Sequence, residues 1–224
     1  MIVKLIAATK LWDPANSPVP EWTWQTDGVA DADDLAEFAG RACYESWGKP
    51  NPKTATNEGY IDHIIEVQHT SVLEHASATI YVAEVTRSLL MELRTHRHLS
   101  FSAISQRYVN HAGAAFVENP LVARAAHRLS IPLGQLATDI KNAYTAIYEE
   151  LRAEGYGVKQ AREAARTVLP NAVEAKFVAT GNMHAWRYVL AKRRAAGADA
   201  EMQEFAIRAL EAIREAAPHS FQDM

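Results

Sequence analysis

The spacing of apolar residues changes at Thr86, and no other feature restricts the fold as much. Residues 76–85, ASATIYVAEV, read as a strand. Beyond them Leu89, Leu90 and Leu93 return at helical spacing, so Thr86 is the expected N-cap of a helix entered directly from a strand. Residues 2–8 and the run KFVAT are further strand candidates. Helical periods fill most of the rest. One helix runs from a cap at Asp33 or Asp34 to about Ser46, with Leu35, Phe38, Ala39 and Ala42 on one face. Another opens at Thr56 or Asn57 with the stripe Ile61, Ile64 and Ile65. A long pattern over 121–153 is interrupted near Pro132, a helix over 158–168 stops at Pro170, and two helices occupy most of 183–215. Pro14, Pro18, Pro20 and Gly28 make a loop of 11–33, which carries Trp12, Trp22 and Trp24, and KPNPKTAT makes a second. The sum is an α+β chain with more helix than strand, expected to form a single domain over 1–224.

Composition removes several classes of function. The formal net charge is −4, so the chain as a whole is no polyanion binder, and the expectation is no nucleic-acid partner. No stretch approaches the roughly 20 apolar residues of a membrane span, and the first ten residues show no secretory pattern. A cytoplasmic location without membrane attachment is expected. The single cysteine, Cys43, rules out an internal disulfide and a cysteine-based zinc site. It lies on the expected apolar face of its helix and reads as core packing. His69 and His75 bracket SVLE like a metal pair, but no third ligand suits, and no metal is expected.

Charge concentrates between Arg87 and His111. Four arginines (Arg87, Arg94, Arg97 and Arg107) stand against one acid, Glu92, a local excess of +3. A charge run of this kind is ordinarily a solvated helix face. Here the arginines are threaded through the hydroxyls of Thr95, Ser100, Ser102 and Ser105, and the run leaves its helix near His96–Leu99 for the irregular or extended segment SFSAISQRYV. Guanidinium forks beside hydroxyls suit phosphate. If 104–108 is extended, Ser105 and Arg107 face one side and one anion meets both.

The order of these residues carries a resemblance. His96-Arg97, seven residues, Ser105, then Arg107-Tyr108 resembles the signature of the flavin-dependent thymidylate synthases, an Arg-His-Arg run followed at fixed spacing by Ser and Arg-Tyr. His69-Thr70-Ser71 with Glu74-His75, GRACYESW followed by KPNPKTATNEGYIDHI, ARTVLPN at 165–171, TGN at 180–182, AWR at 185–187 and Arg193 resemble the family's other segments in their order. The resemblance covers about 35–110 and 158–215.

It implies a fold with helices packed on a small, mostly antiparallel sheet. It implies C5 methylation of a uridine monophosphate, with methylenetetrahydrofolate as carbon donor and NADPH as reductant, the hydride passing through FAD. It further implies a homotetramer with shared active sites. By position, Glu92, Arg94, Thr95, Ala103, Ser105, Gln106, Arg107, Arg166 and Arg193 fall to the nucleotide, with Arg107 and Arg166 as phosphate grips. Arg193 matches the arginine that stabilises ionised N3 of uracil and stands as the catalytic residue. His69, Ser71, Thr95, His96, Arg97, Asn182, His184 and Tyr188 fall to the flavin. Ser105 reads as a ligand and not a nucleophile, and Cys43 lacks the Pro-Cys-His context of the folate-only thymidylate synthases. Arg162 is expected to pair with Glu163 or Glu174, and His75 to be a core histidine.

The chain also departs from the pattern. Thr95 stands where the signature has its first Arg, with Arg94 displaced by one residue, about 100° around a helix. Ala103 replaces Glu or Gln, His184 replaces Arg, Gly197 replaces His, and 110–120 is poor in charge. These changes fall at ligand positions. A methyl at 103 leaves room beside the sugar, which points to UMP as well as dUMP as substrate. The alternatives are a housekeeping enzyme acting on dUMP alone and a flavin- or nucleotide-binding paralogue without turnover.

Overall fold

The computed structural model describes residues 1–12, 25–49 and 51–224. Trp22 and Trp24, with the three prolines of the first loop, lie outside them. Eight α-helices among the described residues accompany a four-stranded, mostly antiparallel sheet of order β1-β2-β4-β3, an α+β architecture. The strands are β1 (Ile2–Ala8), β2 (Ser77–Thr86), β3 (Ser100–Ala103) and β4 (Glu174–Asn182). The helices are α1 (Asp31–Tyr44), α2 (Asn57–Glu66), α3 (Arg87–Leu93), α4 (Pro120–Arg128), α5 (Leu133–Ala153), α6 (Val158–Ala165), α7 (Met183–Arg194) and α8 (Ala200–Arg214). No helix among the described residues is long and apolar enough to cross a membrane.

The chain forms two compact units. One holds Met1, Ala83–Thr95 and Ser102–Phe177; the other holds Ile2–Val82, His96–Phe101 and Val178–Met224. In the first, the switch of period at Thr86 is realised as expected. The Thr86 hydroxyl accepts the Leu89 N–H at 3.1 Å, and Leu89, Leu90 and Leu93 are buried. Helix α3 stops at Leu93, earlier than the sequence indicates, because Thr95 closes it (below). Pro132 separates α4 from α5, and α5 packs on α6 with Tyr144 fully buried.

In the second unit the Thr56 hydroxyl caps α2 through the Gly59 N–H at 3.1 Å, and Ile61, Ile64 and Ile65 are buried. The indole of Trp186, 0% exposed, donates to Ala78 O at 3.0 Å and ties α7 to β2. Helix α1 departs from the sequence reading. Its N-cap is Ala30, without a side-chain bond, and its buried face is Ala32, Asp33, Asp34, Ala36, Glu37, Gly40 and Arg41. Leu35, Phe38 and Ala39 are half-buried, while Ala42 and Cys43 are exposed, so Cys43 is not a core residue.

The polar side chains set the helix's rotation because each finds a partner. Asp33 accepts the N–H groups of His219 and Ser220 at 2.7 and 3.0 Å and the Ser220 hydroxyl at 2.5 Å. Glu37 meets Arg41 Nε at 2.6 Å, Asn57 Nδ2 at 2.9 Å and Lys49 Nζ at 3.5 Å. Asp34 accepts the Thr26 hydroxyl at 2.6 Å. Asn57, also buried, turns its Oδ1 to His219 Nδ1 at 2.7 Å. Gly40 permits the approach of α2: a Cβ there would lie 2.1 Å from the Tyr60 hydroxyl.

Burial, and then the neighbouring charges of Glu37, Asp31 and Asp33, push the Asp34 carboxyl above its usual range, against the pull of the Thr26 hydroxyl. A carboxyl raised on folding contributes stability that is fully present below its unfolded value near 3.8 and is lost as pH rises through the folded value. Asp34→Asn keeps the acceptor for Thr26 and removes the charge. Thermal unfolding across pH will show the variant equal to the parent chain in acid and increasingly more stable towards neutrality. A variant less stable at pH 7 contradicts this balance.

Candidate functional site

The residues singled out from the sequence fall into two sets, one in each unit. In the first unit, Glu92, Arg94 and Thr95 make the C-terminal turn of α3, with Arg94 as C-cap. The Thr95 N–H and hydroxyl both donate to Glu92 O, at 3.1 and 2.7 Å. The side chain that replaces the signature's first guanidinium therefore terminates the helix. Arg94 and Arg166 act instead on Arg87. Burial first, then the charges of Arg166 and Arg94, hold the Arg87 guanidinium below the usual arginine range. Arg166 begins the 3-10 turn Arg166–Val168 that follows α6.

The segment 104–108 is not extended. Strand β3 ends at Ala103, which is half-buried, and the Ile104 N–H donates to Lys176 O at 2.9 Å. The chain then turns, with the N–H groups of Tyr108 and Val109 donating to Ser105 O at 3.2 and 2.9 Å. Backbone groups are satisfied within the turn, so Ser105 and Arg107 do not share one face of a strand. Ser105 Oγ accepts the Arg107 N–H at 3.4 Å, and the Arg107 guanidinium pairs with Glu163 of α6. Gln106 is 6% exposed, and its carboxamide has no partner among the described residues.

Glu163 is thus taken by Arg107, and Glu174 receives Lys176 Nζ at 3.4 Å. Arg162 pairs with neither acid. It donates from Nη1 to Tyr108 O and lies over the Tyr148 ring, with its buried Nε unpartnered among the described residues.

In the second unit, the Arg193 Nε donates to His96 Nε2 at 2.8 Å, and both residues are buried, at 9% and 8% exposure. A guanidinium cannot accept, so His96 Nε2 presents its lone pair and the neutral ring carries its proton on Nδ1. The Tyr188 ring stands edge-on to His96 with centroids 6.0 Å apart. Arg193, Tyr188 and His184 all lie on α7, whose N-cap is Asn182: its Oδ1 accepts the Ala185 N–H at 2.7 Å. The Asn182 amide nitrogen makes no bond among the described residues and remains a donor. Gly181 is required by packing, since a Cβ there would lie 2.3 Å from Leu99 Cδ2.

The 3-10 turn Thr70–Glu74, which carries Ser71 and follows His69, packs against α7. His69, Ser71, Arg97 and Tyr188 are exposed and His184 is half-buried. His75 is exposed as well, and not the core histidine that the sequence suggested. Gly197 lies exposed between α7 and α8.

Two residues of this arrangement were not assigned from the sequence. Glu163 was expected only as a partner for Arg162, and its pairing with Arg107, 56 residues away, left no local signal. Arg87 did give one, since it stands seven residues before Arg94, two turns along the same helix.

Residues 26–219 match the family described as thymidylate synthase complementing protein. A relative from Mycobacterium phage D29, described as a probable flavin-dependent thymidylate synthase, is 45% identical over 100% of this chain and 96% of its own. A flavin-dependent thymidylate synthase of Mycobacterium tuberculosis is 44% identical over 99% of this chain and 88% of its own. Two crystal structures of the flavin-dependent thymidylate synthase of Helicobacter pylori with FAD and dUMP share the fold. They give TM-scores of 0.66 and 0.68 at 18% and 19% identity, covering 99% and 100% of this chain and 97% and 99% of theirs.

The buried His96–Arg193 bond carries a cost if it is broken. Arg193→Met keeps apolar bulk and removes the donor from a buried imidazole nitrogen, which should destabilise the chain by about 1–3 kcal/mol. Urea unfolding measures this, and an unchanged midpoint would contradict a stabilising role for the bond.

Proposed function

The chain belongs to the thymidylate synthase complementing protein family, that of the flavin-dependent thymidylate synthases, and from this premise we propose that it methylates C5 of a uridine monophosphate. The substrate is dUMP, with UMP accepted beside it. Methylenetetrahydrofolate supplies the carbon, NADPH the reducing equivalents and FAD the hydride relay. The single observation that carries the reading is the buried Arg193–His96 pair on and beside α7, in a chain matched to this family over 26–219.

The residues of the second unit suit a flavin. Asn182 keeps an amide donor after capping α7, Tyr188 offers an aromatic ring 55% exposed, and His69, Ser71, Arg97 and His184 supply further polar groups. Bound FAD would supply the hydride chemistry; the chain's share is binding, orientation and charge. His96 acts through Arg193. By accepting from Nε it fixes the plane of the guanidinium, which then stabilises the negative charge that grows on the uracil N3–C4 edge as C5 becomes nucleophilic. Arg193 stays cationic through this step, which a lysine with an easily shifted pKa does less dependably.

Ser105, Gln106, Arg107, Glu92 and Arg166 form the proposed nucleotide set, with Arg94 and Thr95 at the end of α3. Ala103 is the proposed determinant of sugar choice: its methyl group presents nothing to exclude a 2′-hydroxyl. A homotetramer with shared sites is proposed on the same resemblance. The exposed Leu121 and Val122 of α4, its C-cap Leu129 and Leu136 of α5 support self-association.

A competition assay tests this reading. The chain receives FAD, NADPH, methylenetetrahydrofolate and equal dUMP and UMP, with products read by mass spectrometry. Both nucleotides will be methylated, and Ala103→Gln will lower the UMP share by about tenfold while sparing dUMP. Methylation of dUMP alone makes the chain a dUMP-specific enzyme and removes the role given to Ala103. NADPH consumption without any methylated nucleotide identifies a binding paralogue.

A further inference from the structure

Two neighbouring residues of α7 hold the helix by bonds that have a direction. Trp186 reaches β2, and Arg187 reaches the turn that follows α8. The Arg187 Nη1 donates to Ser220 O at 2.5 Å and to Asp223 Oδ1 at 2.6 Å, and its Nη2 donates to Asp223 Oδ2 at 2.7 Å. The guanidinium also lies over the fully buried Phe221 ring, 6.0 Å from its centroid. The bond from Arg187, first among the causes, holds the Asp223 carboxyl below its usual range against the effect of burial. The turn is itself anchored. Arg214 of α8 donates to Phe221 O at 3.1 Å and to Met224 O at 2.5 Å, and Asp33 of α1 receives the Ser220 N–H and hydroxyl. All of these residues lie in the second unit.

Apart from Arg193, the buried face of α7 is apolar: Met183, Ala185, Trp186, Val189 and Leu190. Burial of apolar surface has no direction of its own, and one bond at Trp186 leaves the helix able to turn about it. The fork at Arg187, about 100° further around the axis, removes that freedom. The consequence reaches the site. Tyr188 follows Arg187 directly and stands edge-on to His96, whose Nε2 receives the Arg193 Nε. On a helix of about 5–6 Å outer radius, a turn of about 20° moves a side-chain tip by about 2 Å. A misplacement of about 1 Å can cost about 100-fold in rate.

We propose that Arg187 and Asp223 are positioning residues for the methylation, fixing the rotation of α7 so that Tyr188 meets the flavin and Arg193 meets the uracil edge. The inference deepens the functional reading above and rests on it. Neither residue belongs to the flavin or nucleotide set; Asp223 acts through Arg187, and Arg187 through the helix that carries it.

The test compares Asp223→Ala, Arg187→Lys and the double variant with the parent chain, with Ser220→Ala as control. Asp223 is exposed, so its variant keeps the fold. Arg187→Lys keeps the charge and loses the fork. Ser220→Ala loosens the same turn from Asp33 and leaves the Arg187 bonds, which go to the Ser220 carbonyl and to Asp223. Thermal unfolding is followed without ligand, FAD affinity by quenching of flavin fluorescence, and kcat and KM with dUMP at a temperature where every variant is folded. Asp223→Ala and Arg187→Lys should each weaken FAD about 10-fold and lower kcat about 10- to 100-fold. The double variant should be no worse than either, because both changes remove one interaction. Ser220→Ala should lower the unfolding temperature and leave FAD affinity and kcat unchanged.

FAD affinity and kcat equal to the parent's in Asp223→Ala and Arg187→Lys overturn the assignment and leave the functional reading intact. A loss of FAD affinity in Ser220→Ala that matches theirs also overturns it, since the turn is then a structural tie alone. Weakened FAD in the two variants of a chain that methylates neither dUMP nor UMP upholds the hold on α7 and sinks the functional reading alone.

Discussion

The carboxylates on the buried face of α1 govern much of the second unit. Asp33, Asp34 and Glu37 are at most 7% exposed, and removing such groups from water is tolerated only when each is hydrogen-bonded or paired. That requirement dictates the neighbourhood. The backbone at His219 and Ser220 must come to Asp33, Asn57 must open α2 where it reaches Glu37, Thr26 must reach Asp34, and Arg41 must fold back along its own helix. Removing one partner leaves a buried charge exposed to the full desolvation cost, several kcal/mol in comparable sites. The network therefore fixes the ends of two helices and the chain's last residues together, within the unit whose α7 carries Arg193.

The same rule operates at the site on a smaller scale. Arg193 is buried, and its guanidinium is oriented by a neutral ring nitrogen of His96. An acceptor without charge orients the cation. In the other unit Arg107 has a carboxylate partner in Glu163, while Arg87 has burial and then the charges of Arg166 and Arg94 acting against it. The two arginine settings differ in what they can do before a ligand arrives: one is already compensated, the other is not.

These distinctions divide what was legible in the sequence from what was not. Helix and strand type followed from local periods and caps: Thr86 and Thr56 accept the bonds expected of them, and Pro132 breaks the helical run where it should. Helix α1 misled because hydrophobic spacing is a guide to the buried face only when polar residues lack partners. Here the partners come from His219 and Ser220, more than 180 residues away, which no local pattern reveals. The run 104–108 misled for a related reason, since the chain turned back on the Ser105 carbonyl instead of continuing the strand. The family was legible through the order of the motifs. Its internal pairing was not: Arg162 bonding Tyr108 O and Glu163 bonding Arg107 depend on how α6 meets the turn after β3.

The most direct test of the central claim is whether methylation needs the flavin. The purified chain, stripped of bound flavin, would be given dUMP, methylenetetrahydrofolate and NADPH, and product followed before and after FAD is restored. The account predicts no methylated nucleotide in the first state and steady formation in the second. Methylation at the same rate without FAD would contradict it.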